Sequence, residues 1–326
     1  FVIGDITTTG GTGSYSTLLN LSGDNRTFTT NFTPDGNAAY SISVAIDKFT
    51  DATGNNNIAS NTFQWTYDAA SPSAEIAYDL TGPYRNTQTV RITANFNEDM
   101  ASSPAPQIEI AGPDTASVIA TNMTYVSAIQ YYYDYAVPTQ NGTGIISLRT
   151  GTDLAGNVIT TTPTNGTGTF TVDNTQPSMT ITSTTSGIIS SGLTTNDSYI
   201  DLKFESDKST TNFAVGDITV TGGTLSNFAG SGTTYTAKLT PTGSGSSNIT
   251  QATTINVAGG TFTDSIGNSN TVATQFTWNY DTTQPGMSIA SSTVNSGDRT
   301  RDTSIALTFT STKSTSNFAV GNISVS

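Results

Sequence analysis

The chain has 326 residues, with 24 acidic against 11 basic side chains, a net charge of −13 and charged residues at only 11%. Its acidity comes from scarce Lys and Arg, not from a dense acidic tract, and the missing basic patch argues against a nucleic-acid partner. His and Cys are both absent, which removes the commonest general base and the thiol nucleophile; the chain is read as not an enzyme, and without a long apolar run this stretch is not expected to span a membrane.

Along the chain the dominant signal is alternation with period two. Phe63, Trp65 and Tyr67 alternate with Gln64 and Thr66, and Val90, Ile92, Ala94 and Phe96 do so with Arg91, Thr93 and Asn95. Tyr131, Tyr133 and Tyr135 share one face of a strand, with Tyr132 and Asp134 on the other. Ile200, Leu202 and Phe204, then Phe276, Trp278 and Tyr280, then Ile305, Leu307 and Phe309 continue the device. This is the pattern of half-buried strands. Asn141-Gly142-Thr143-Gly144, Thr221-Gly222-Gly223 and Thr242-Gly243-Ser244-Gly245 read as turns between strands. Helical spacing is nowhere sustained. The fold class expected is all-β: tandem antiparallel β-sandwich domains in a rod-like array.

Tandem organisation comes from three repeated motifs. An aromatic strand, an Asp, a short polar tract and a Pro recur as Trp65 to Pro72, Phe170 to Pro177 and Trp278 to Pro285. The Asp residues, Asp68, Asp173 and Asp281, are 105 and 108 residues apart, a period that suits a whole sandwich domain and is too long for a solenoid coil. A D-x-x-G-N motif precedes each: Asp51 to Asn55, Asp153 to Asn157 and Asp264 to Asn268. The third motif reads Ile3-Gly4-Asp5-Ile6, Val215-Gly216-Asp217-Ile218 and Val320-Gly321-Asn322-Ile323. Phe1 aligns with Phe213, so the expected segments are 1–68, the C-terminal part of one domain; 69–173, a diverged domain; 174–281, a domain; and 282–326, the N-terminal part of another. The chain is accordingly expected to be a piece of a longer protein.

Asn212 to Gly223, then Gly259 to Asn268, then Asp281-Thr282-Thr283-Gln284-Pro285 together resemble the bacterial immunoglobulin-like repeats of giant surface adhesins. The resemblance implies immunoglobulin-like sandwiches in extracellular fibres, for adhesion or surface display, frequently stiffened by Ca²⁺ near domain junctions. The family commonly carries a Glu two residues after the aromatic of the alternating strand; Glu98 after Phe96 fits, whereas Ser206 after Phe204 and Ser311 after Phe309 do not.

Ca²⁺ requires six to eight oxygen ligands. The candidate ligands are Asp51, Asn55 and Asp68, converging at one end of the first segment, with Asp153, Asn157 and Asp173, and Asp264, Asn268 and Asp281, as equivalents. Asp and Asn beside Gly are equally turn formers that bond their own backbone. Candidate glycosylation sequons begin at Asn20, Asn25, Asn31, Asn122, Asn141, Asn165, Asn196, Asn248 and Asn322, no more than chance predicts in so Asn-, Ser- and Thr-rich a chain. The function expected is a structural stalk or filament segment at the cell surface, for display or adhesion. Its expected partners are neighbouring repeats, lateral copies in a filament, and a glycan or surface receptor. The alternative is a glycan- or partner-binding module, with recognition in the diverged segment 69–173 through Tyr132 and Asp134.

Overall fold

The computed structural model describes residues 1–20, 25–113, 117–185 and 190–325. Among these, every regular element is a strand apart from three single turns of 3-10 helix, and no helix is long and apolar enough to cross a membrane. The chain divides into two compact units, Phe1–Thr175 and Gln176–Ser326.

In the first unit, residues 1–68 form a three-stranded antiparallel sheet ordered Ile6–Thr9, Ala38–Val44, Phe63–Tyr67, and two short antiparallel pairs, Gly13–Tyr15 with Phe32–Pro34 and Leu19–Asn20 with Phe28–Thr29. Residues 69–173 form two four-stranded sheets. One is ordered Thr124–Ser127, Gln130–Ala136, Thr89–Phe96, Ala74–Tyr78; the other Val118–Asn122, Gln107–Ala111, Gly142–Arg149, Thr169–Val172. Their inner faces supply one core that includes Ile76, Val90, Ile92, Phe96, Ile108, Ile110, Tyr131, Tyr135, Leu148 and Phe170. These are the alternate residues of each strand, as a sandwich requires.

The second unit repeats the plan. One sheet is ordered Met179–Ser183, Ile200–Thr210, Gly223–Pro241; the other Thr194–Thr195, Phe276–Asp281, Thr250–Val257, Ile218–Thr221. Trp278, Phe204, Leu202, Ile200 and Leu239 are wholly enclosed between them. Residues 282–325 contribute the hairpin Met287–Ser291 with Leu307–Ser311.

The third sequence motif forms the 3-10 turns, Ile3–Asp5, Val215–Asp217 and Val320–Asn322. Its Asp or Asn accepts the amide three residues back: Val2 N–H to Asp5 Oδ2, Ala214 N–H to Asp217 Oδ2 and Ala319 N–H to Asn322 Oδ1, each at 2.8 Å. Only an acceptor is needed, which explains why Asn replaces Asp in the last copy.

One expected turn is corrected. Gly142, Thr143 and Gly144 lie in strand Gly142–Arg149, opposite Val172, Thr171 and Phe170. The glycines serve close packing: a Cβ on Gly144 would sit 2.2 Å from the Phe170 ring. The other two turns lie where expected. Gly222, at φ +77°, separates strands Ile218–Thr221 and Gly223–Pro241, and Thr242–Gly245 turn beyond Pro241.

Candidate functional site

Each D-x-x-G-N motif closes a loop upon itself. Asp51 Oδ1 accepts the amides of Thr53 and Asn55 at 2.9 Å each, while Asn55 Nδ2 donates to Asp51 Oδ2 at 3.0 Å. Asp153 receives Asn157 N–H and Nδ2, both at 2.8 Å. Asp264 receives the amides of Ile266 at 3.1 Å and Asn268 at 2.9 Å, and Asn268 Nδ2 at 3.1 Å. Gly54, Gly156 and Gly267 all have φ between +92° and +96°, the left-handed region in which a side chain would be strained. The hydrogen bonds from Asn55, then from Thr53, hold the Asp51 carboxyl far below its usual range. Burial pushes Asp153 up, but the bonds from Asn157, Gly156 and Ala155 outweigh it and leave that carboxyl low.

The linker Asp residues have their own repeated geometry. Oδ1 of Asp68, Asp173 and Asp281 accepts the amide two residues on, from Ala70 at 2.9 Å and from Thr175 and Thr283 at 2.8 Å. The three linkers therefore start with the same Asx turn. Asp68 does not join Asp51 in an acidic cluster. It meets Asp153 of the following segment and Glu98, with one carboxylate oxygen from each lying within 4.8 Å of the others. Asn157 Nδ2 also donates to the Asp68 backbone carbonyl at 3.1 Å, tying the linker to the loop of the next segment.

Glu98 is the strained member of that cluster. Burial, then the charges of Asp68 and Asp153 and its hydrogen bond with Asp68, raise its pKa. A raised carboxyl contributes stability below its unfolded value and loses it as pH rises through the folded value. Glu98→Gln should therefore be more stable than the parent chain at neutral pH. Melting curves across pH should show that advantage vanishing below about pH 4; an advantage that persists there would mean that charge is not its source.

Glu98 has counterparts that sequence counting missed. Just after each linker Pro, one residue exchanges two hydrogen bonds with the end of the alternating strand. Ser73 N–H donates to Asn97 Oδ1 at 2.7 Å and Asn97 N–H to the Ser73 carbonyl at 3.0 Å. Ser178 pairs likewise with Asp207 (2.8 and 3.2 Å), and Gly286 with Thr312 (2.7 and 3.0 Å). The residue following each closure is Glu98, Lys208 or Lys313. Counting from the aromatic places Ser206 and Ser311 opposite Glu98; the hydrogen-bond frame corrects this to Lys208 and Lys313. The lysine-bearing copies are two residues longer between the aromatic and the closure, and pairing of strand Ile200–Thr210 shifts register between Glu205 and Thr210.

Both lysines bond acids of the repeated motifs. Lys208 Nζ lies 3.3 Å from Asp264 Oδ2. Lys313 Nζ reaches Asp281 Oδ2 at 2.7 Å, Asp281 Oδ1 at 2.9 Å and the Thr283 carbonyl at 2.6 Å. Lys313, followed by the bonds from Thr283, draws the Asp281 carboxyl down to about 2. A readable signal existed: Lys-Ser-Thr precedes the Phe-Ala-Val-Gly motif at the same distance in both copies, Lys208 to Phe213 and Lys313 to Phe318.

In the diverged segment, Tyr131 and Tyr135 are buried in the core, whereas Tyr132 is half-buried and Asp134 exposed. The Arg91 guanidinium lies 3.9 Å from the centre of the Tyr132 ring and forms a bidentate pair with Asp134 at 2.8 and 2.9 Å. The residues expected to recognise a ligand are thus engaged by a cross-strand neighbour. All nine sequon asparagines are exposed. The side-chain amides of Asn20, Asn141 and Asn165 are already donors, to Asn25, Thr175 and Ile76. Leu21 and Ser22 of the Asn20 sequon lie outside the described residues.

Comparison with known proteins gives a match to one family model, described as a bacterial Ig-like domain, over residues 173–280. No match is found among curated proteins. Among solved structures the chain is similar to FdeC, described as a broadly conserved Escherichia coli adhesin, at 12% identity over 84% of each chain with a TM-score of 0.36. The family match begins at linker Asp173 and ends at Tyr280, taking in both sheets of the second unit's sandwich. Residues 173–280 are thus similar to a bacterial Ig-like domain.

Proposed function

We propose that the chain is a structural segment of a large extracellular repeat protein, a stalk or filament at the cell surface that serves display or adhesion. The observation that carries this reading is the repetition of the linker itself: Asx turn, Pro, then the two-bond closure onto the next strand end, at Asp68, Asp173 and Asp281. A protein that needed only a binding domain has no use for three copies of one linker, whereas a spacer does. Pro72, Pro177 and Pro285 fix backbone torsions and remove donors at those linkers, which limits bending. Neighbouring repeats are the first partners of such a segment; lateral copies and a glycan or receptor follow from the same reading.

Ca²⁺ suits the donors Asp68, Glu98 and Asp153, which offer hard carboxylate oxygens from a linker and from the segment after it. Bound there, the ion would neutralise their mutual repulsion and join the two. Single-molecule pulling tests the mechanical reading. Each intact segment should release about 300 Å or more of contour length in one step, at higher force in millimolar Ca²⁺ for 69–173. Gradual extension without steps would oppose a load-bearing role.

A further inference from the structure

One structural position carries opposite charges in different copies. Glu98, Lys208 and Lys313 each follow the two-bond closure, so the backbone delivers all three side chains to the same place relative to the residue after the linker Pro. At Glu98 that place holds three carboxylates together. At Lys313 it holds an ammonium on both oxygens of the linker Asp281 and on the Thr283 carbonyl. These three contacts use all the donors an ammonium has. They span the linker: Asp281 ends the last strand of 174–281, Thr283 lies beyond it, and Lys313 follows strand Leu307–Ser311 of the next segment. Lys208, in the equivalent place, reaches the buried Asp264, the counterpart of Asp153.

We propose that Lys313 is a built-in cation that latches its linker to the following segment, so that this junction holds without a dissolved metal ion. The inference rests on the stalk reading for its purpose but on local contacts for its substance. Stiffness at this junction is written into one residue. The Lys313 latch is insensitive to the ionic medium except through ordinary screening of a half-exposed pair, and the glutamate copy lacks that internal charge. An ammonium suits the role because it is a compact point charge with rotatable donors on a long stem.

The test uses the full 326-residue chain and local readouts, so failure of the stalk reading leaves its outcome interpretable. Amide hydrogen exchange of Thr283 and Gly286, whose N–H groups bond Asp281 and Thr312, should be faster in Lys313→Met by about fivefold or more, equally in chelator and in millimolar CaCl₂. Lys313→Arg should retain most of the protection. The complementary variant Glu98→Lys should melt above Glu98→Gln in chelator, because it brings the latch to Asp68 and Asp153. Unchanged exchange in Lys313→Met, or rescue of that variant by CaCl₂, would overturn the proposal. So would a Glu98→Lys chain no more stable than Glu98→Gln.

Discussion

Trp278→Ala is expected to destabilise the second unit by about 3–5 kcal/mol, the loss typical of a fully enclosed aromatic. Trp278 has no exposed surface, packs with its ring 6.1 Å from that of Tyr280, and donates from Nε1 to Thr195 Oγ1 at 3.1 Å. Truncation therefore opens a cavity at the centre of the sandwich and strips a hydrogen bond from the short Thr194–Thr195 strand, which pairs in parallel with Phe276–Asp281. Urea unfolding measures the loss as a shift in midpoint at constant slope; a negligible shift would show that the Trp278 side chain does not anchor the sandwich.

Asp264→Ala is expected to cost about 2–4 kcal/mol, because one buried carboxylate serves four donors. The variant removes the acceptor for the Ile266 and Asn268 amides, for Asn268 Nδ2 and for Lys208 Nζ. Asp264 is 3% and Asn268 7% exposed, so water cannot readily replace that acceptor. Asp264→Asn should lose less, since it keeps one oxygen for the two backbone amides. A shift in the urea midpoint at constant slope records the effect. A negligible shift for Asp264→Ala would mean that the loop is held by its glycine and backbone alone.

The sandwich was legible because its strands need only one property, alternation, which a sequence carries residue by residue. Ile200, Leu202 and Phe204 announce their burial without reference to anything distant. The D-x-x-G-N motif was legible as a turn for the same reason, the bonds that close its loop falling within five residues. The acidic cluster was not. Asp68 and Asp153 have all but the last strand of a sandwich between them in sequence, and only folding shows that a linker Asp faces the loop of the segment after it. The lysines were hidden by two extra residues between aromatic and closure, which shifted the count and set serines opposite Glu98. Gly142 and Gly144 misled differently: they read as turn formers, yet they lie in a strand, where Gly144 makes room for the Phe170 ring.

Small-angle scattering of the 326-residue chain, in chelator and in millimolar Ca²⁺, tests the stalk most directly. Strands of about ten residues at ~3.3 Å each give a segment roughly 35 Å long, so two whole and two partial segments in line would span about 100 Å or more. The expected radius of gyration is then roughly 30 Å, against about 20 Å for a compact globule of this length. A value near 30 Å, with a scattering profile that stiffens further in Ca²⁺, is the result predicted. A value near 20 Å in both conditions would contradict the stalk.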